Sequence, residues 1–312
     1  MCGLELGLLD LCHVAPGASP ATALCDMTDV ACLADGLGYT RYWLAEHHTS
    51  AVAHASPEIL IPLVAGMTDR IRVGTAGVLL PYRSPLKVAS DFRLLATLFP
   101  GRIDLGMGRG RAPAATAEAL LFGRVDDSSE EMFDRMFGDV VHFLTGTVAE
   151  DHPNYQAWVS PARQEGAMPQ VFGLGSSRRT LPIAAAHGAP FAYSLFIEGG
   201  GDDPKIFAEY RRRFRVGPLG TRPLAILSLA GVCAETDEAA KAICQRDNDG
   251  LIPTVVGSAE SCCTMLLELR DRYAADEIVF VEIAKPLSDR LSSCELLSAA
   301  LGLSHIPEAI PA

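Results

Sequence analysis

Three short segments carry side chains suited to chemistry. The first, WLAEHH at residues 43–48, sets Glu46, His47 and His48 directly behind an apolar run that reads as a strand. A histidine at the carboxyl end of a strand titrates near neutrality and can serve as acid or base, which makes His47 the catalytic candidate. Metal binding is the rival use. Adjacent His47 and His48 point opposite ways on an extended chain, and no His-Glu-x-x-His helix accompanies them, so the pair suits a metal poorly. His54, His13 and His152 are weaker candidates on loops expected at the same end, whereas His142 and His187 fall on helices and read as surface or packing residues.

The other two segments are glycine-rich turns that follow strands. GMGRGR at residues 106–111 carries Arg109 and Arg111, and GLGSSRRT at residues 173–180 carries Gly175, Ser176, Ser177 and Thr180. Glycine lets main-chain N–H groups approach a ligand, hydroxyls add donors, and an arginine can grip a phosphate or a flavin edge. Each turn taken alone serves equally as a phosphate cradle or as a plain junction between strand and helix. Two on one face favour a phosphorylated cofactor. Nucleophilic catalysis has little to work with: there is no Gly-x-Ser-x-Gly elbow, and nothing marks Cys12 as activated. Tyr193 and Phe196 fit either a planar-ring site or a buried strand.

Strand-like and helix-like runs alternate along the chain. Strands are expected at 4–9, 41–44, 71–80, 103–105, 170–174, 191–193, 225–233 and 278–281, each followed by a helix. The repetition predicts a single domain over 1–312: a closed (β/α)8 TIM barrel with extended loops at the C-terminal face, where ligands bind. The alternative open sheet would carry Gly-x-Gly-x-x-Gly after its first strand, and that fingerprint is absent. The polar stretch 148–168 reads as a long loop, a lid over the barrel mouth, and 16–25 and 111–127 as further mouth loops.

Hydrophobic residues make up 49% of the 312, enough for a large core, and the net charge of -12 argues against nucleic acid or anionic membrane as partner. No apolar run reaches the roughly 18 residues that span a bilayer. The N-terminal run reads as a first strand rather than a signal peptide. Nine scattered cysteines without a Cys-x-x-Cys pair fit buried thiols in a reducing cytoplasm.

Four pieces, YTRYWLAEHH, the span from ASPEILIPLVAGM to GRIDLGMGRG, VFGLGSSRRTLPIAAAHGAPFAYS and LAGVCAETDEAA, together resemble the bacterial luciferase-like, flavin-dependent monooxygenases over nearly the whole chain. The resemblance implies a barrel that binds reduced FMN as co-substrate. Ala76–Gly77 falls where members carry a non-prolyl cis peptide under the flavin ring. His47 falls on the catalytic histidine, and Arg109, Gly175, Ser176, Ser177 and Thr180 in the phosphate-binding segments. It further implies a separate flavin reductase, a C4a-peroxyflavin that inserts one oxygen atom into a small organic substrate (a secondary metabolite is compatible), and a homodimer using early helices, with Phe92, Leu94 and Leu95 contributing. Gly108 stands where light-emitting members have a reactive cysteine, which speaks against light emission. The alternatives are a deazaflavin-dependent hydride-transfer enzyme on the same barrel and a non-catalytic flavin-binding subunit.

Overall fold

The computed structural model describes residues 4–124, 129–161 and 168–303. Strand β1 (Glu5–Asp10) leads to α1 (Pro20–Leu37), β2 (Arg41–Leu44), α2 (Pro57–Met67), β3 (Arg72–Leu79), a 3₁₀ turn (Leu80–Tyr82) and α3 (Pro85–Leu98). Then come β4 (Ile103–Gly108), α4 (Ala114–Leu121), α5 (Glu130–Thr145), β5 (Gln170–Gly175), α6 (Leu181–Ala186), β6 (Phe191–Ser194) and α7 (Ile206–Arg213). The chain continues through β7 (Ala225–Ala234), α8 (Asp237–Asp247), β8 (Pro253–Ser258), α9 (Ala259–Tyr273), β9 (Glu277–Glu282) and α10 (Leu287–Leu301). Strands β1 to β7 lie side by side in order, and β9 closes the ring between β7 and β1, all parallel. The expected (β/α)8 barrel is what forms, and its eight strands are the eight read from the sequence.

Two elements were not expected. Strand β8 pairs with Ala230–Ala234, the part of β7 that runs on past its pairing with β6. It opens with an exposed proline and buries only Val255 and Gly257, so it lacks the continuous apolar run of a barrel strand. Helix α4 has no side-chain cap and lies in a stretch taken for a loop. Helix α1 starts at Pro20, where Ser19 accepts from the Thr22 N–H, so more than half of the supposed mouth loop 16–25 is helix.

Side chains on barrel strands alternate between lumen and helical layer. Leu9, Trp43, Phe172, Ile226, Val279 and Val281 fill the lumen, while Leu8, Tyr42, Val73, Leu105, Ile278 and Phe280 face the helices. The floor of the lumen is polar. Arg41, 4% exposed, donates from Nη1 to Asp104 (2.6 Å) and from Nε and Nη2 to Glu277 (2.6 and 2.7 Å). Asp104 also accepts from Trp43 Nε1 (2.8 Å) and from Arg72 (2.6 and 2.8 Å). Room for this cluster comes from Gly74, where a Cβ would lie 2.2 Å from the Asp104 carbonyl oxygen.

The segment after α5 corrects the lid expectation. It joins the end of α5 to the start of β5, so residues 148–161 lie at the N-terminal end of the barrel, opposite the mouth. There Arg93 donates to the carbonyls of Phe143, Leu144 and Val159, and His152 pairs with Asp139 at 3.3 Å. His152 is therefore not a mouth residue. Positions 162–167 of that stretch, and 125–128 of the supposed loop 111–127, lie outside the described residues. Phe92 and Leu95 are buried in the core, which leaves only Leu94 of that trio on the surface of α3.

Removing one member of a buried ion pair leaves its partner desolvated and uncompensated. Asp104→Asn is expected to lower unfolding free energy by about 3–5 kcal/mol, read from denaturant titration; a loss within experimental error would show that Arg41 and Arg72 find other acceptors.

Candidate active site

The carboxyl ends of the strands surround a cavity of about 530 Å³, in the range of small-molecule sites. The catalytic candidate and the residues assigned to cofactor binding all line it: His47 past β2, Ala76 and Gly77 on β3, Arg109 past β4, and Gly175, Ser176, Ser177 and Thr180 past β5. The two glycine-rich turns thus meet at one mouth.

Each wall has a local cause. Ala76–Gly77 is a non-prolyl cis peptide, at a point where the pairing of β3 with β4 shifts register. A Cβ on Gly77 would lie 2.3 Å from the Leu174 side chain and 2.7 Å from the Gly106 carbonyl oxygen, so only glycine fits there. At Gly175 a Cβ would meet Thr180 Oγ1 at 2.9 Å, which keeps that turn tight. The loop after β6 braces the same turn: Gly201 N–H donates to the Ser176 carbonyl (3.1 Å), and Tyr193 OH donates to the Gly201 carbonyl. Tyr193 therefore belongs to the support behind the site. Phe196 lines the cavity itself.

The cations divide. Arg178 is committed to Asp203 (2.6 Å) and Glu209. Arg179 lines the cavity 3.5 Å from Glu130. Arg109 packs its guanidinium 5.6 Å from the centre of the Phe133 ring, and its buried Nε finds no hydrogen-bond partner among the described residues. Burial chiefly, with Arg179 nearby, pulls its pKa down from the ordinary arginine value. An anion placed between Arg109, Arg179 and the hydroxyls of Ser176, Ser177 and Thr180 would answer both features.

On the opposite wall, Glu46 is a residue that the sequence reading left without a role. Its fully buried carboxylate meets His48 Nε2 (2.9 Å), Arg83 (2.8 Å) and the Leu79 N–H (3.0 Å), and Arg83 continues to Glu58 (3.0 Å). Behind His47, the loops after β1 and β2 pair with each other: Val14 N–H donates to Ala51 O and Ala53 N–H to Cys12 O, both at 2.9 Å. This pairing gathers His13 and His54 near His47, a proximity that no sequence spacing signals. All three have pKa values below the usual histidine value. Burial is the main cause for each; His13 and His48 add to it at His47, while Glu46 opposes. Both ring nitrogens of His54 are buried without a partner among the described residues. Cys12 lies at the end of β1, but burial pushes its thiol up to about 12, so it is no nucleophile. No group of three or more metal-ligating side chains occurs among the described residues.

Residues 4–274 match the family model described as luciferase-like monooxygenase. The chain belongs to the luciferase-like monooxygenase family. An N-acetyl-S-alkylcysteine monooxygenase of Bacillus subtilis is 32% identical over 278 residues, 86% of this chain and 81% of the relative. The crystal structure of apo-MsnO8 superposes with a TM-score of 0.86 at 33% identity, covering 96% of this chain and 99% of the other. Two more distant structures share the fold alone. One is the oxygenating constituent of 3,6-diketocamphane monooxygenase from Pseudomonas putida with FMN, at TM-score 0.73 and 18% identity over 96% of this chain and 97% of that one. The other is an F420-dependent secondary alcohol dehydrogenase, at TM-score 0.68 and 11% identity over 96% and 99%. Its monooxygenase relatives make the protein an oxidoreductase. No helix among the described residues is long and apolar enough to cross a membrane.

A histidine whose folded pKa lies below its unfolded value of about 6.5 stabilises the fold above that pH and gives up the contribution as pH falls below it. The melting temperature is expected to drop between about pH 7.5 and about pH 5.5, and His54→Leu to flatten that drop. An unchanged slope in the variant would show that His54 does not take up a proton on unfolding.

Proposed function

We propose that this luciferase-like protein is a reduced-FMN-dependent monooxygenase. The carrying observation is that the turns at 108–111 and 175–180 line one cavity with His47 and the Ala76–Gly77 main chain. The residues fit FMN: a buried arginine nitrogen without a partner among the described residues and three hydroxyls for the phosphate, and a side-chain-free strip of main chain at Gly77 against which a planar ring can lie. Bound reduced FMN supplies two electrons to O₂, so that one oxygen atom enters an organic substrate and the other leaves as water.

The chain's own residues hold and shield. Arg109, Arg179, Ser176, Ser177 and Thr180 grip the phosphate. Ala76–Gly77 supports the ring, and Leu9, Leu11, Phe196 and Leu251 keep water from it. His47, its pKa lowered by burial, is neutral at pH 7 and accepts or returns a proton through its imidazole. The chain lacks a dinucleotide fingerprint, which supports a separate reductase as the source of reduced FMN. A homodimer is supported by an apolar stripe on two neighbouring helices: Ile59, Leu63 and Met67 on α2, and Leu94 and Leu98 on α3, each about half exposed or more. A small organic substrate, in the secondary-metabolite range, fits the mixed polar and apolar wall. Deazaflavin-dependent hydride transfer remains the second reading, because the fold also occurs in an F420-dependent enzyme.

Oxygen uptake tests the reaction. With photoreduced FMN the native protein is expected to consume O₂ and slow its release as hydrogen peroxide, and His47→Ala to bind FMN yet release peroxide about 10²-fold or more faster. Indifference to O₂ together with reduction of deazaflavin by an alcohol would select the second reading. For the assembly, Leu63→Glu with Leu98→Glu is expected to convert dimer to monomer in sedimentation velocity; a native monomer would refute the dimer.

A further inference from the structure

We propose that Glu46 is a positioning residue that holds His48 as its Nε2–H tautomer and ties the strand end carrying His47 to the main chain just past Ala76–Gly77. The inference rests on the flavin reading above for its consequence and on hydrogen-bond chemistry for its content. A main-chain N–H and a guanidinium can only donate, so the Glu46 carboxylate accepts from Leu79 N and from Arg83. Paired at 2.8 Å with a guanidinium that stays charged, Glu46 acts here as a carboxylate acceptor. The contact of Glu46 Oε1 with His48 Nε2 at 2.9 Å then requires the proton on the imidazole. In neutral His48 this leaves Nδ1 as the acceptor nitrogen, one ring atom available to take a proton at the cavity wall.

The two carboxylate oxygens divide the work. Oε2 takes the Leu79 N–H, and Oε1 takes His48 and Arg83, so rotating the group breaks both sides together. His48, in the loop past β2, and Leu79, the last residue of β3, both line the cavity. Arg83 extends the tie to Glu58 at the start of α2. One buried side chain therefore sets the spacing between the histidine wall and the ring floor. Glu46 acts through its neighbours, and its signature is an imidazole tautomer together with flavin affinity.

The test uses full-length protein labelled with ¹⁵N-histidine, with His48 assigned by His48→Gln. In its neutral form the native His48 is expected to show a protonated Nε2 and an unprotonated Nδ1. Glu46→Gln, whose amide can donate or accept, is expected to give mixed tautomers and to weaken reduced FMN about tenfold. Pairing it with Arg83→Gln removes both charges of the pair, restoring melting temperature without restoring tautomer or affinity. Native His48 protonated on Nδ1 overturns the proposal, as does a double variant with native FMN affinity, which would leave Glu46 a merely structural counter-ion to Arg83. A native protein that binds no reduced FMN contradicts the flavin reading, and the tautomer then decides the proposal by itself.

Discussion

A guanidinium cannot be taken out of water at the floor of an eight-stranded barrel unless carboxylates meet it there, and this requirement organises the molecule. Arg41 on β2 satisfies it by reaching Asp104 on β4 and Glu277 on β9, while Arg72 on β3 shares Asp104. Four strands are thereby tied at one end of the lumen by groups whose geometry tolerates little movement. Because the strands are parallel and the same floor anchors them, their opposite ends emerge in fixed relation. Residue 46 just past β2, residues 76–79 on β3 and the turn past β4 are the three that benefit, and they form one side of the cavity.

The mouth repeats the device on a smaller scale. Glu46 joins the ends of β2 and β3 as Asp104 joins their beginnings. Across the cavity, the turn past β5 is held by the loop past β6 through Gly201 and Tyr193. The wall carrying the histidines is thus fixed by charge, and the wall carrying the serines by hydrogen bonds to main-chain carbonyls together with the Arg178 ion pairs. Between them lies a strip of strand that must be free of side chains, since a Cβ at Gly77 would collide with Leu174 and Gly106. A flat ring against that strip and an anion at the far wall is the ligand shape this division suits.

Much of the fold was legible because barrel strands bury both faces and so read as short continuous apolar runs. The turns past β4 and β5 were legible for a different reason: glycines, hydroxyls and arginines follow those runs at once. Strand β8 escaped because it lies outside the ring and buries only alternate residues. The polar stretch after α5 was assigned to the wrong end of the barrel. Polarity says that a segment is a loop, and only its place between a helix and the next strand says which end it occupies. The gathering of His13 and His54 behind His47 had no signal, because it arises from two loops pairing across the ends of β1 and β2. Glu46 was visible as an acid beside two histidines, but its partners Leu79 and Arg83 are brought to it only by the closure of β2 on β3.

The claim at the centre is that two turns from different strands grip the phosphate of a flavin. Comparing equilibrium affinities for FMN and riboflavin tests it directly, since the two ligands differ only in that phosphate. A hydrogen bond to a charged group contributes about 1.5–3 kcal/mol, so FMN is predicted to bind at least about tenfold more tightly, with the gap closing in Arg109→Ala. Equal affinity for the two flavins in the native protein would contradict the account.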